Sequence, residues 1–414
     1  MKTGRRLDNR SSLKRAALFL GLKRSMVGML AMVILCDMGE RMAERFLPIY
    51  LMAIGGGAIS IGLLNGLDNL LSALYAYPGG FLSERLGAKR ALIIFNLIAM
   101  FGFAIVVAVP DWRAVIIGAL FFISWSAISL PATMSLINRA LPSNKLTMGV
   151  SMHSLVRRIP MALGPLIGGA FIAAWGERDG IRYAFIGAIA MAFAAMILQQ
   201  ILIEPDSPKE KSQVATPRKS MLARMTPQLR LLLVSDILVR FCEQIPYAFV
   251  VVWCMKTIEH PVSAIQFGAL TTIEMATAIL IYIPVAALAD KSGKKPFVVA
   301  TFLFFSVFPL ILYFSHSFWW LVVAFIVRGL KEFGEPTRKA LIMELAPEDC
   351  KAAMFGFYYL SRDMVVSLAA FGGAFLWIKS PAVNLFTAFA FGIIGALWFS
   401  FFGRDLEKRE NRSL

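Results

Sequence analysis

The chain has 414 residues, of which 58% are hydrophobic and 16% are charged, and its formal net charge is +16. Soluble domains contain roughly 25% charged and roughly 45–50% apolar residues, so this composition excludes an ordinary soluble domain and indicates an integral membrane protein. The three histidines and four irregularly spaced cysteines form no metal-ligand, disulfide or nucleophile–base pattern. We therefore expect no metal, no cofactor and no enzymatic activity.

Apolar runs begin after a basic N-terminal segment, which we expect to form a cytoplasmic tail near the inner leaflet. A helix needs about 20 apolar residues to cross a bilayer, and these runs lack the period-two alternation of a membrane β-barrel. Twelve runs qualify as spans: 26–53, 58–82, 90–109, 113–137, 148–174, 182–203, 230–254, 265–289, 296–315, 318–343, 353–377 and 382–402. The sequence predicts an all-α integral membrane protein with twelve transmembrane helices.

Basic residues mark one side of the membrane. They gather in the two tails, in the polar linker between spans 6 and 7 and in alternate loops. The other side holds only Arg113, Arg178, Arg182, Lys256 and Lys379. By the positive-inside rule, both termini are expected to be cytoplasmic, with the protein in an inner or plasma membrane. Because the basic residues lie at helix ends and not along one surface, we expect no binding of nucleic acid.

An internal repeat divides the chain into two halves. Residues 62–90 align with residues 268–296 at one constant offset and without gaps, which pairs Asp68 with Glu274. Parallel repeats of this kind are typical of transporters that bind their solute between two pseudo-symmetric six-helix bundles. The predicted parts are a tail (1–25), a bundle (26–203), a linker (204–229), a second bundle (230–402) and a C-terminal tail (403–414).

The repeated segment ends in a loop that carries a charged, glycine-containing pattern in both halves. The two copies are Gly80, Glu84, Arg85, Gly87, Lys89 and Arg90, and Ala286, Asp290, Lys291, Gly293, Lys294 and Lys295. Together with the twelve spans and the repeat, the pattern resembles the signature of the major facilitator superfamily. The resemblance implies two bundles that rock around a central cavity, with the loops steadying one conformation through charge contacts. The alternative is a solvated, positive-inside loop without a gating role.

Span 5 contains a second pattern, formed by Gly164, Pro165, Gly168 and Gly169. It resembles the antiporter motif of exporters in this superfamily, although Pro160 stands in place of the first glycine. Close packing of transmembrane helices through small residues explains the same pattern. Export by antiport and simple helix packing therefore both stay open.

Span 10 carries a run of charges, whereas span 4 lacks the arginine that proton-coupled members of the superfamily carry there. The charged residues of span 10 are Arg328, Lys331, Glu332, Glu335, Arg338 and Lys339. A proton-relay role is therefore expected of span 10 and not of span 4.

One charge pattern, Asp-x-x-x-Arg-x-x-Glu, occurs in span 1 and again in span 7. Its members are Asp37, Arg41, Glu44, Asp236, Arg240 and Glu243. The spacing places each triad on one face of its helix. Charges at membrane depth cost about 2.5–3.5 kcal/mol each on insertion scales and mark function by default, so we expect the triads to face each other across the cavity. The alternative is a ladder of ion pairs that only fixes helix packing. Glu40 and Arg45 have no charged counterpart in the second half.

Two further acids, Asp68 in span 2 and Glu274 in span 8, form a repeat pair near the middle of the membrane. Neither has a basic residue one helical turn away, so burial favours the protonated acid unless an arginine of another helix pairs with it. The candidate partners are Arg157, Arg158 and Arg362. We predict Asp68 and Glu274 as the groups that exchange protons.

These features predict a secondary transporter that moves a small polar or charged solute by alternating access, driven by the proton gradient. We expect a monomer whose partners are the solute, protons and the lipid bilayer. A drug or metabolite:proton antiporter and a non-transporting sensor or scaffold are the alternatives. The candidate site residues are Asp37, Arg41, Glu44, Asp68, Arg157, Arg158, Asp236, Arg240, Glu243, Glu274, Arg328, Glu335 and Arg362.

A partial resemblance to proton-coupled peptide transporters is also present. Glu44, Arg45 and Phe46 match the end of their E-x-x-E-R-F pattern, but Arg41 stands in place of its first acid. The mixture of acids and bases suits a zwitterionic or anionic solute. The residues do not distinguish import from export.

Overall fold

The computed structural model describes residues 24–123, 125–140, 152–204, 221–292 and 294–403, and regular structure in these ranges is helical. Most of the predicted tails and linker, and the loop residue Gly293, lie outside the described residues. The first helices are α1 (Arg24–Glu44), α2 (Leu47–Ala53), α3 (Ala58–Leu86), α4 (Ala88–Ala108), α5 (Trp112–Phe122), α6 (Trp125–Ala140) and α7 (Arg158–Leu202). The others are α8 (Met221–Arg224), α9 (Pro227–Gln244), α10 (Val250–Val252), α11 (Ala264–Ser292), α12 (Lys295–Phe314), α13 (Phe318–Leu330), α14 (Glu335–Leu345), α15 (Lys351–Lys379) and α16 (Pro381–Phe402).

These helices fall on all twelve predicted spans, which confirms the all-α membrane fold class. Helix α7 covers spans 5 and 6 and turns at Gly176, whose φ of 79° lies in the left-handed region that favours glycine. Eight helical segments among the described residues are long and apolar enough to cross a membrane, judged by length and composition.

Spans 1, 4, 7 and 10 are interrupted, a feature that the sequence did not predict. The breaks lie after Glu44, at Ile123, at Ile245 and between Leu330 and Glu335. A proline stands at the start of the next helical segment in three of them, namely Pro48, Pro246 and Pro336. Proline has no N–H to donate, so it fits the first turn of a helix and disrupts a helix interior.

Packing divides the chain into two compact units. The first unit contains Met1–Glu44 and Leu74–Gln213, and the second contains Arg45–Ala73 and Val214–Leu414. The long helix α3 therefore contributes its first part to the second unit and its last part to the first. The six-helix bundles expected from the repeat stay a prediction.

In the first unit, α1 packs closely along α7 through small residues. A methyl group on Gly168 would lie 1.9 Å from the carbonyl oxygen of Met42, and one on Gly164 would lie 2.6 Å from the Cβ of Arg41. Without an aqueous driving force, such backbone approach is a main source of helix association in lipid. It holds the charged part of α1 against span 5.

In the second unit, α9 packs against α12, α15 and α16. Leu229, Leu232, Phe302, Leu341 and Phe399 form part of the buried apolar core between these helices and α14. Helix α11 packs against α13 in the same unit. These two arrangements position the charged side chains of spans 7, 8, 10 and 11.

Candidate functional site

Each unit contains its own group of buried charges, and the group in the first unit is small. Asp37 is fully buried in α1, and its Oδ2 accepts a hydrogen bond from Nε of Arg157 at 2.9 Å. Arg41 forms an ion pair with Glu44 one turn further along the chain. The predicted triad is therefore split, because its first acid binds a cation of span 5. Arg158, the neighbour of Arg157, begins α7.

A hydrogen-bonded group of uncharged side chains includes Cys36, the neighbour of Asp37 in α1, and no pattern in the sequence predicted it. Oδ1 of Asn96 accepts hydrogen bonds from Nε1 of Trp125 at 2.7 Å and from the thiol of Cys36 at 3.4 Å. Asn96 is buried in α4, whose other residues after its first turn are apolar. It ties spans 1, 3 and 4 together beside the ion pair.

The second unit holds a larger group, called here the second-unit cluster. Its members are Asp236, Arg240, Glu243, Glu274, Arg328, Lys331, Glu335, Arg338 and Arg362. In the predicted triad of span 7, Arg240 donates to Glu243 at 2.5 Å, and its Nε lies 4.0 Å from Oδ1 of Asp236. All three side chains thus share one face of α9, as the spacing predicted.

One end of the second-unit cluster is tightly bonded. Arg338, which is 1% exposed, pairs with Asp236 and donates to both carboxylate oxygens of Glu335 at 2.7–3.1 Å. Asp236 also accepts from the hydroxyl of Tyr358 at 3.1 Å and from Arg362 at 3.4 Å. Charge-assisted bonds with this geometry are the strongest that side chains make. Arg338 and Tyr358 were missed as site residues, although Arg338 belongs to the charge run of span 10.

The other end is loosely bonded and centres on Glu274, which is 0% exposed. One of its oxygens lies 3.4 Å from Nε of Arg328 and 3.3 Å from Nζ of Lys331. Charge-assisted hydrogen bonds are typically about 2.7–2.9 Å long. Among the described residues, neither oxygen of Glu274 has a partner in hydrogen-bond geometry. This carboxylate is therefore compensated in charge but poorly satisfied in hydrogen bonding.

Lys331 joins the two ends. Its Nζ also binds Oε1 of Glu243 at 2.9 Å, and Glu243 in turn binds Arg240. Opposite charges therefore alternate from Arg328 through Glu274, Lys331 and Glu243 to the tight end. Lys331 lies in the break of span 10, between α13 and α14.

A small cavity lies beside the loose end. It is lined by Glu243, Val250, Phe304, Phe305, Phe308, Arg328 and Lys331. It has room on the order of one water molecule. The guanidinium of Arg328 lies 5.0 Å from the centre of the Phe308 ring, and Nζ of Lys331 lies 5.8 Å from that of Phe305. Both cations therefore contact aromatic faces, which attract positive charge.

Arg45, to which the sequence assigned no role, also lies near Glu274. Its guanidinium lies 5.1 Å from the centre of the Tyr247 ring, and it interacts electrostatically with the Glu274 carboxylate. Glu40 is buried in α1.

The repeat pair of acids occupies two different environments. Glu274 is fully buried, whereas Asp68 is partly exposed and accepts a hydrogen bond from Ser72 at 3.4 Å. Two of the three expected arginine partners bind other acids, since Arg157 binds Asp37 and Arg362 binds Asp236. Partner choice follows from helix packing: α11 packs against α13, so Arg328 reaches Glu274.

In the first loop motif, Lys89 makes the defined contacts. Its Nζ donates to the carbonyl oxygens of Gln200 at 3.1 Å and Ile203 at 2.5 Å, at the end of α7. A cation there binds unsatisfied carbonyls and complements the helix dipole. Gly87, with a φ of 87°, precedes α4.

The remaining loop residues show fewer contacts. Glu84, Arg85 and Arg90 are exposed, and Gly80 lies within α3. In the second copy, Lys294 pairs with Glu344 and Lys295 begins α12. The side chains of Asp290 and Lys291 lie outside the described residues, and the gating role stays a prediction.

The span 5 motif serves close packing in this structure. Gly164 and Gly168 contact α1 as described above, and Pro165 and Gly169 are buried beside them. The structural interpretation of the motif thus has direct support in the contact with α1.

We expect Gly168→Ala to destabilise the protein by about 1–3 kcal/mol or more, because the added methyl group overlaps the Met42 carbonyl and forces α1 away. Gly187→Ala is the matched control, since its methyl group would meet only the flexible end of Met42 at 3.5 Å. Thermal unfolding of the purified variants in detergent measures the difference. Equal melting temperatures for the two variants would show that the contact is unimportant.

Comparisons with known proteins identify the chain's relatives. The family model described as Major Facilitator Superfamily matches residues 29–259 and 232–413. An uncharacterised MFS-type transporter of Methanocaldococcus jannaschii is 21% identical over 369 residues, which is 87% of this chain and 90% of the relative. A second uncharacterised MFS-type transporter, from Bacillus subtilis, is 23% identical over 153 residues, which is 36% of this chain and 38% of the relative.

Solved structures share the fold at low sequence identity. The nucleoside transporter NupG superposes with a TM-score of 0.77 at 13% identity, covering 91% of this chain and 99% of that one. A peptide transporter POT in complex with sulfate gives a TM-score of 0.72 at 13% identity, with 92% and 93% covered. At this identity the likeness concerns the fold alone.

Proposed function

The chain belongs to the major facilitator superfamily, and from this premise we propose that it moves a small polar or charged solute by alternating access, coupled to protons. Transport as such follows from the family and the membrane fold. The identity of the coupling ion and the chemical class of the solute are what we propose.

One observation carries the proton coupling: Glu274 is fully buried, carries two cations at 3.3–3.4 Å and lacks hydrogen-bond geometry with either. A buried carboxylate stays ionised only while cations compensate it. If Arg328 and Lys331 move away or bind something else, Glu274 keeps Arg45, whose effect is the smallest of the three cations, and uptake of a proton becomes favourable. A change of conformation or of ligand at this position is thereby linked to proton uptake and release.

The tight end is unsuited to that role. Arg338 holds Asp236 and Glu335 by several short bonds, so separating these charges is costly in the interior. We assign the tight end to holding α9, α14 and α15 in place. Of the two acids predicted to exchange protons, Glu274 has the stronger support, because Asp68 is partly exposed.

The first-unit pair, Asp37 and Arg157, is a second candidate for charge exchange during transport. It joins spans 1 and 5 by a single hydrogen bond at 2.9 Å. We propose it as a contact that can differ between conformations, as ion pairs in switching proteins do.

We also propose a monomer in the inner or plasma membrane with both termini cytoplasmic, on the distribution of basic residues. Proton antiport of drugs or metabolites is the second possibility for the reaction. It rests on the span 5 motif alone, and the packing of that motif against α1 supports a structural role instead.

The test is solute-dependent proton movement in proteoliposomes that contain the purified full-length protein and an internal pH dye. Nucleosides, peptides, organic acids, sugars and cationic drugs form the panel. We expect one class to move protons in the same direction as the solute. Proton movement opposite to the solute supports antiport, and solute flux without proton movement contradicts proton coupling.

A further inference from the structure

The side chains that line the small cavity carry more positive than negative charge, which indicates an anionic ligand. Arg328 and Lys331 are the cations of its lining, and Glu243 is the acid. Glu243 is shared between Lys331 of the lining, at 2.9 Å, and Arg240 outside it, at 2.5 Å, so it cannot balance both cations of the cavity. The surface facing the cavity therefore carries an excess of positive charge.

Glu274 supplies the negative charge that compensates these cations, but its contacts with them are long. It is absent from the cavity lining and reaches both cations at distances that leave its own oxygens without hydrogen bonds. A carboxylate placed in the cavity would lie next to Arg328 and Lys331, which both line it, and could bind them at normal hydrogen-bond length. It would compete with Glu274 for the same two cations.

The rest of the cavity lining is apolar. Val250, Phe304, Phe305 and Phe308 provide aliphatic and aromatic surface next to the two cations. Ligand sites of this type bind an apolar body by burial and orient it by a few polar groups. A small hydrophilic anion would leave this surface unused, whereas an anion with an aromatic or aliphatic body would cover it.

We propose that the solute is a monocarboxylate with an apolar body, whose carboxylate takes the place of Glu274 on Arg328 and Lys331. This rests on the proposed transport function and specifies its substrate class. The cavity must open to admit such a molecule, and Lys331 lies in the break between α13 and α14, where a helix pair can change its angle. Displaced from both cations, Glu274 keeps only the smaller effect of Arg45 among these three cations and binds a proton, so one anion and one proton travel together.

Other ionisable groups near Glu274 do not remove this competition. They are Arg45, Glu243, Glu332 and Cys254, which interact with Glu274 or with its two cations. Arg45 adds positive charge at Glu274, Glu243 and Glu332 act on Lys331, and Cys254 interacts with Arg328. The exchange of the two carboxylates on Arg328 and Lys331 therefore governs the pH dependence of binding.

The test measures binding of 3-phenylpropionate to the purified full-length protein by calorimetry and thermal shift. The neutral amide of this probe and acetate are the comparison ligands. We expect 3-phenylpropionate to bind and the amide and acetate to bind at least about tenfold more weakly. Glu274→Gln should bind 3-phenylpropionate about tenfold more tightly than wild type, because the internal competitor has lost its charge. Lys331→Met should bind it about tenfold more weakly, and Lys351→Met, at a lysine that does not line the cavity and pairs with the exposed Glu348, should bind as wild type.

The pH dependence provides a second readout. Wild-type affinity should rise as the pH falls from about 8 to about 6, where the probe stays ionised, and affinity of the Glu274→Gln variant should stay constant. Hexanoate serves as a second monocarboxylate with an apolar body. Equal binding of the amide, weaker binding by Glu274→Gln, or failure of both 3-phenylpropionate and hexanoate to bind would overturn the proposal. Gradient-driven flux of another solute class with no carboxylate binding would leave the transport function standing and remove this substrate class.

Discussion

Replacement of Arg338 by methionine is expected to destabilise the second unit by about 3–5 kcal/mol, the cost of removing one partner from a buried ion pair. Arg338 is 1% exposed and bonds to Asp236 and to both oxygens of Glu335. Without it, the two buried acids depend on Arg240 at 3.7–4.0 Å, on Arg362 at 3.4 Å and on the half-exposed Lys339 at 3.4 Å. These longer contacts compensate the charge incompletely.

The neighbouring Lys339 provides a matched control. It pairs with the same acid, Glu335, at 3.4 Å, but its side chain is 47% exposed. Exposed pairs contribute about 0–1 kcal/mol, so Lys339→Met should change stability little. Arg338→Lys keeps the charge but loses the forked geometry and should fall between the two. If Arg338→Met and Lys339→Met unfold at the same temperature in detergent, the tight end does not stabilise the unit.

The second large effect is expected at Glu274. Glu274→Gln keeps the size of the side chain and removes its charge, so Arg328 and Lys331 lose an acid while Lys331 keeps Glu243. A neutral side chain has no proton to release or take up. We expect accumulation of solute driven by a pH gradient to fall by about a hundredfold or more, to the background of empty vesicles, a change of about 2.7 kcal/mol in barrier terms.

Two controls distinguish loss of proton coupling from loss of the folded structure. Exchange of labelled for unlabelled solute across the membrane requires no net proton movement, so Glu274→Gln should still catalyse it. Asp68→Asn removes the repeat-related acid, which is partly exposed and bonded to Ser72, and should retain gradient-driven accumulation. Loss of exchange in Glu274→Gln would indicate that the variant is structurally impaired instead of uncoupled.

Several features of the fold could be predicted from the sequence because each depends on local composition. Runs of apolar residues give the spans, and the offset of 62–90 against 268–296 gives the repeat. The helix breaks were not predicted. Pro48, Pro246 and Pro336 mark three of them, but proline also occurs inside helices here, as at Pro78 and Pro309.

The site could be predicted only in part. The spacing of Asp236, Arg240 and Glu243 fixed their common face, because it depends on helical period alone. The partner of Glu274 could not be predicted, since it depends on which helices pack together. Asn96 gave no signal, because a single amide in an apolar span resembles any tolerated polar residue.

The most direct measurement of the central claim is a comparison of two fluxes in the same proteoliposomes. One is solute accumulation driven by a pH gradient, and the other is solute exchange at equal pH. We expect wild type to catalyse both and Glu274→Gln to catalyse exchange alone. Gradient-driven accumulation by Glu274→Gln at the wild-type rate would contradict the assignment of Glu274 as the proton-coupling group.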